Sequence, residues 1–337
     1  ALQDVLAARG DVVGLPPEEP GDLDMLLEHW PENVAALEYF LGSEHAWLFL
    51  IDTGGTVSVY ALKDERGEPV ASRRLVAQVT QFLSGLNLYA DKMRRRLMAG
   101  RGFQHTWQDE LHAFYRQLLP EAALAKLRSA DTVLIVPHHV LHYFPFVALV
   151  IQPDRQPRGE FEMVQPKFLL DEPFCLCYAP SLATWASLRQ RPDEPVTDVT
   201  AAGIVEFDGA APLPGVEEDL KNLQAAFAQR VRSVLPADQA TEDRAGQLFR
   251  RRGMLFLGTH GRNLADEPLA SYLLFHADPQ NDGYLTAAEL YTNEVGADLV
   301  VLSACYSGLA DRSPLPGDDL FGLQRAEILG AEVSGRT

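Results

Sequence analysis

Read from residue 36, apolar positions recur with a period of two, then of three to four, then of two again. The run "ALEYFLGSEHAWLFLIDTGGTVSVYALK" (36–63) alternates apolar and polar residues and is rich in aromatic and β-branched side chains, which predicts a strand, a turn at Gly54-Gly55 and an antiparallel return strand. Helical spacing takes over from about Val70 to Leu119. "TVLIVP" (132–137) is a buried strand, and "FLLDEPFCLCYAP" (168–180) predicts two short strands parted by Glu172-Pro173. After a helix near 182–189, "QRPDEPVTDV" (190–199) is polar and carries two prolines, the best internal boundary. Beyond it strands and helices alternate. "AAGIVEF" is a strand, "GVEEDLKNLQAAFAQR" a helix with acids in its first turn, "VRSVL" a strand, "TEDRAGQLFR" a helix opened by Thr241, and "MLFLG" a strand. That alternation predicts an α/β fold with a mostly parallel sheet flanked by helices.

Upstream, "GLPPEEPGD" (14–22) is a linker rich in proline and acids, and "LDMLLEHW" (23–30) a short amphipathic helix or the tail of an upstream helical array. At 337 residues the chain exceeds the size at which one core stops growing, so two domains are expected. The divisions expected are a linker or tail over 1–36, one lobe over 37–195 and a second over 196–337. Hydrophobic residues make up 47%, enough for a sizeable core, yet no apolar stretch reaches the roughly 18 residues of a membrane span. The net charge of −18 disfavours broad attachment to nucleic acid or anionic lipid. The opening "ALQDVLAARGDVVG" starts with Ala and lacks the positive charge of a signal peptide, so an excised piece of a larger cytoplasmic protein is expected.

Chemistry enters where two apolar runs stop on reactive side chains. "LFLGTHGRN" (255–263) ends on His260 and "LVVLSACYSG" (299–308) on Cys305, and in parallel α/β sheets sites form beyond the carboxyl ends of strands. A cysteine attacks as its thiolate, and a neighbouring imidazole both takes the proton and stabilises the resulting charge. Gly261 permits close backbone approach, and its N–H with that of Cys305 suits the oxyanion of a tetrahedral intermediate. Taken singly, each residue is more simply a hydrogen-bonded core histidine and a buried thiol; the pairing at two strand ends is what points to catalysis.

Other features are read structurally. Cys175 and Cys177 alternate within "FCLCYAP" and are expected to be small buried hydrophobes; three cysteines in all are too few for a disulfide framework. "DPQNDGYLTAAE" (278–289) approaches a calcium loop but has Gln280 at its third position and a strand before it. A turn at Asp282-Gly283 and a capping box from Thr286 to Glu289 explain it better. "KMRRR" (92–96), with Arg73, Arg74 and Arg101, is a solvated helix face or, alternatively, a docking strip for an acidic partner. "PHHVLH" (137–142) has no carboxylate or cysteine at ligand spacing, and neither GxxxxGK[ST] nor GxGxxG occurs. No metal and no cofactor are expected.

"LFLGTHG", "GYLTAAEL", "LVVLSACYSG" and "GDDLFGLQRA" together resemble the catalytic half of the CHAT family, caspase-like domains often appended to tetratricopeptide arrays and distantly related to separase and caspases. The interval of about 45 residues from His260 to Cys305 is similar to that of caspases. "LIVPHHVLHYFPFVAL", "FCLCYAPSLATW", "DGAAPLPGVEEDL" and "LEYFLGSEHAWLFLI" extend the resemblance over about residues 37 to 330. It implies a caspase-like α/β fold with a non-catalytic α/β companion lobe first and a catalytic lobe second. The second lobe would carry a cysteine endopeptidase dyad at His260 and Cys305. A protein substrate, an upstream sensor region or an activating partner complex, and a role in regulated proteolysis such as bacterial defence or cell death are implied with it. So is a P1 pocket lined by 206–213 and Ser303, with Leu213 as part of its wall; there Glu206 and Asp208 either serve a turn or, by their charge, receive a basic side chain. Where the family continues, this sequence stops at "EILGAEVSGRT", so a catalytic lobe shortened at its C-terminal side is expected. The reading from a different class is a non-catalytic interaction scaffold that keeps the fold.

Overall fold

The structure is a computed structural model and describes residues 23–98, 106–155, 165–189, 196–207, 209–235, 239–264, 267–293 and 295–304. Two compact units divide between Ala186 and Ser187.

The first unit opens with helix α1 (Leu23–Glu28), then strands β1 (Val34–Leu41), β2 (Ala46–Ile51) and β3 (Val57–Ala61). Helices α2 (Ser72–Met98), α3 (Thr106–Leu118) and α4 (Glu121–Leu127) follow. The unit continues with β4 (Thr132–Val136), the short antiparallel pair β5 (Val150–Gln152) and β6 (Lys167–Phe168), β7 (Cys175–Tyr178) and α5 (Leu182–Arg189). The main sheet has the order β3-β2-β1-β4-β7, antiparallel among the first three strands and parallel from β1 through β4 to β7. The single hairpin expected from the sequence is therefore a three-stranded meander. Its first reversal lies at Gly42, whose N–H donates to the His45 carbonyl at 3.0 Å; the second is the expected turn at Gly54-Gly55.

Central β1 is buried on both faces, as its nearly unbroken apolar run requires. Leu37 and Tyr39 face the larger core with Phe144 and Phe146, and the Tyr39 hydroxyl donates to the Leu118 carbonyl at 3.2 Å. Val34 and Ala36 face a smaller core closed by Trp30 and Trp185, whose rings lie 5.1 Å apart. Among the described residues strand β7 is at the sheet edge, and Cys175 and Cys177 on it are free and exposed, which overturns the expectation of buried thiols. His138 Nδ1 accepts the Leu41 N–H at 3.2 Å, tying the "PHHVLH" segment to the end of β1. The side chains of the "KMRRR" stretch and Arg101 lie outside the described residues; Arg73 is exposed and Arg74 pairs with Asp64 at 2.9 Å.

The second unit runs β8 (Val199–Gly203), α6 (Pro214–Phe227), β9 (Val231–Leu235), α7 (Glu242–Phe249) and β10 (Met254–Gly258). It continues with β11 (Gly261–Arg262), β12 (Tyr272–Leu274), β13 (Tyr284–Thr286), α8 (Ala287–Thr292) and β14 (Leu299–Ser303). Strands β14-β10-β8-β9 form an all-parallel sheet. Alternation along β10 sends Leu255 and Leu257 into a core with α7, α8 and β12, and sends Phe256 into a second core with Leu220 and Leu223 of α6. Both predicted helix starts hold. Thr241 accepts from the Arg244 N–H at the start of α7, and Thr286 caps α8 while Glu289 returns the bond, the capping box that replaces a calcium loop. Asp278 spends its carboxylate on the N–H groups of Gln280 and Asn281, and Gly283 turns with φ +91°. Among the described residues no helix is long and apolar enough to cross a membrane, and no group of three His, Cys, Asp or Glu side chains could hold a metal.

Candidate active site

The site begins with two glycines. Gly203 and Gly258 are register partners at the carboxyl ends of β8 and β10, and Val216 of α6 rests on both. A Cβ at Gly203 would lie 2.5 Å from Val216 Cγ1, and one at Gly258 would lie 2.8 Å from it. Only glycine lets the helix come this close. The approach carries the segment before α6 onto the strand ends, where Ile204 N–H donates to Gly258 O at 3.0 Å and Leu213 N–H to Val205 O at 2.8 Å.

His260 follows two residues after the end of β10. Thr259, almost fully buried, donates its N–H to Ser303 O at 3.3 Å and its hydroxyl to the Leu274 carbonyl; His260 O accepts from Leu274 N–H at 2.8 Å. The backbone is thus pinned on both sides. The imidazole lies half-buried against Phe207, with ring centroids 4.6 Å apart, and its Nε2 meets the Ala211 carbonyl at 2.7 Å. A carbonyl oxygen only accepts, so Nε2 carries the proton and, in the neutral ring, Nδ1 has a free lone pair. A histidine held in this tautomer is equipped to take a proton through Nδ1.

Strand β14 lies beside β10 with Ser303 opposite Gly258, so the two strands finish level. Cys305 is two residues beyond Ser303 and falls outside the described residues, as does Asp208. Gly261 is the first residue of β11. Of the expected pocket residues, Glu206 is exposed, whereas Leu213, bonded to Val205 O just past β8, and Ser303, at the end of β14, are partly buried. Sequence reasoning held Phe207 and Ala211 only as part of the 206–213 segment and missed their contacts with His260. Phe207, four positions after the end of β8, closes the apolar run "AAGIVEF", which is the only hint of the first; the second acts through its carbonyl and leaves no side-chain signal.

Residues 108–330, more than half of the chain, match the family model described as the CHAT domain. No curated protein matches the chain.

Proposed function

The chain belongs to the CHAT domain family, which carries the caspase-like α/β fold, and on that premise we propose that it is a cysteine endopeptidase. The observation that carries this reading is the fixed tautomer of His260, with Nε2 held by Ala211 O beside the strand that leads to Cys305. His260 Nδ1 takes the thiol proton of Cys305, and the thiolate adds to a substrate peptide carbonyl. The N–H groups of Gly261 and Cys305 receive the oxyanion. The imidazolium then protonates the departing amine, leaving a thioester that water hydrolyses with His260 as base. Glu206 and Asp208 give the cleft a preference for Arg or Lys before the cleaved bond, with Leu213 and Ser303 against its aliphatic stem. In this reading residues 196–337 are the catalytic lobe and 37–195 a non-catalytic companion. An upstream sensor region or partner complex would switch on regulated proteolysis, in a cytoplasmic setting such as bacterial defence or cell death.

The test uses full chains in which Cys175 and Cys177 are serine, so that Cys305 is the sole thiol. A fluorescent iodoacetamide should label Cys305 at neutral pH faster than free cysteine, and His260→Ala should remove the advantage. Peptides cut after Arg or Lys should be cut at least about a hundredfold more slowly by the His260→Ala chain, the size of a lost general base. A Cys305 no more reactive than free cysteine would favour the non-catalytic scaffold, and cleavage only after Asp or Leu would remove the basic preference.

A further inference from the structure

His260 shares its face of the small sheet with other side chains. Gly261 pairs with Leu273 and Arg262 with Tyr272, and the bond from Leu274 N–H to His260 O extends the ladder by one residue. Strand β13 adds Tyr284 opposite Leu274 and Leu285 opposite Leu273. Side chains alternate across a sheet, and Leu273 and Leu285 are the ones in the core. His260, Arg262, Tyr272, Leu274 and Tyr284 therefore share the outward face. Tyr272 and Tyr284 meet edge to face at 4.8 Å, and Tyr284 is 42% exposed. The Arg262 side chain is exposed and makes no hydrogen bond or ion pair among the described residues. A chain of net charge −18 presents here an uncommitted guanidinium, two residues from the histidine and beside an aromatic pair.

The chemistry orients this face. If the chain is the peptidase proposed above, the imidazolium of His260 protonates the departing amine, so the substrate residues after the cleaved bond run on the histidine's side. Two residues of extended chain span about 6.6 Å, which brings Arg262 within reach of the second or third substrate residue after the cut. We propose that Arg262, flanked by Tyr272 and Tyr284, is a specificity-determining subsite for a carboxylate on the leaving side of the bond, so that the substrate is a polypeptide segment with Asp or Glu within three residues after the cleavage point. A guanidinium recognises a carboxylate through paired N–H donors, and the tyrosine faces suit the stem of the acidic side chain. Together with the basic preference proposed for Glu206, this makes the cleft bipolar: basic residues are favoured before the cut and acidic ones after it.

The test compares full-chain hydrolysis of peptides that are identical up to the cut and carry Asp, Ala or Lys at the second and third positions after it. Wild type should favour Asp over Lys by about tenfold or more in kcat/KM, chiefly through KM. Arg262→Glu should invert the order, and Arg262→Lys should keep part of the acidic preference. A gain on the Lys peptides cannot arise from poor folding. Cleavage with an order unchanged by Arg262→Glu would overturn the subsite and leave proteolysis standing, as would uniform loss on all peptides without inversion. Absence of any cleavage that depends on Cys305 would remove the peptidase reading and the subsite with it.

Discussion

Gly203→Ala tests the packing that brings the 206–213 segment onto His260. The new methyl would sit 2.5 Å from Val216 Cγ1 and 3.0 Å from Leu220 Cδ1, where carbon atoms prefer roughly 3.5–4.0 Å. The contact is with two branched side chains of a packed helix, so α6 has to move outward by about 1 Å, at a cost of about 1–3 kcal/mol. Val216→Ala alone removes two buried methyl groups, a loss of about 1.6 kcal/mol before any cavity contribution. Combined, the methyl added at 203 enters space vacated at 216, so the double variant should be more stable than the sum of the single effects by about 1–3 kcal/mol. Trp30, Trp47, Trp107 and Trp185 all lie in the first unit, so tryptophan fluorescence does not report on this one. Amide hydrogen exchange of β8 and β10 peptides along a urea series does. A Gly203→Ala cost below about 0.5 kcal/mol, or strict additivity with Val216→Ala, would refute the argument that the glycine pair exists for this helix contact.

Native thiol titration should find Cys175 and Cys177 reacting rapidly without denaturant, and Cys175→Ser and Cys177→Ser should each remove one fast equivalent; slow labelling of both would contradict an exposed edge strand. Glu242 is buried at the start of α7, where it accepts the Gly283 N–H at 2.8 Å. Burial raises its carboxyl above the ordinary value, the Gly283 N–H opposes the rise, and Glu289, Asp282 and Asp278 add to it. More protons are bound folded than unfolded in the window above the ordinary glutamate pKa, so stability falls as pH rises through it. Glu242→Gln should therefore stabilise the second unit at pH 7–8, with the gain shrinking toward pH 4; a gain independent of pH in unfolding curves would sink this reading. Glu172, buried between Arg128 at 2.8 Å and Lys167 at 2.6 Å, has its carboxyl lowered chiefly by the Arg128 hydrogen bond. Its contribution is complete above the ordinary carboxylate pKa and is lost as pH falls through the depressed one. Glu172→Gln should cost about 1 kcal/mol at pH 7, since both cations are half exposed and screened. Acid titration of wild type and variant should bring the two stabilities together.

Local physics wrote much of this protein openly into its sequence. Period-two and period-3.6 patterns located the parallel strands of the second unit, Thr241 and Thr286 announced their helices, and His260 stood visibly at the end of an apolar run. Each of these depends on neighbours within a few residues. The reversal over Gly42-Ser43-Glu44-His45 was hidden because its few polar residues fit the alternation of one long strand, and no Asn-Gly or Asp-Gly pair marks it. Whether Cys175 and Cys177 are covered depended on the rank of β7 in the sheet, since the same alternating strand is buried at the centre and bare at the edge. The carbonyl that sets the His260 tautomer comes from Ala211, 49 residues upstream, and a backbone oxygen is alike in every residue. Sequence determined which groups could react; the three-dimensional path of the chain decided which nitrogen is free, which glycines are indispensable, and that Arg262 stands on the histidine's face, because these follow from strand order and register between segments that share no local pattern.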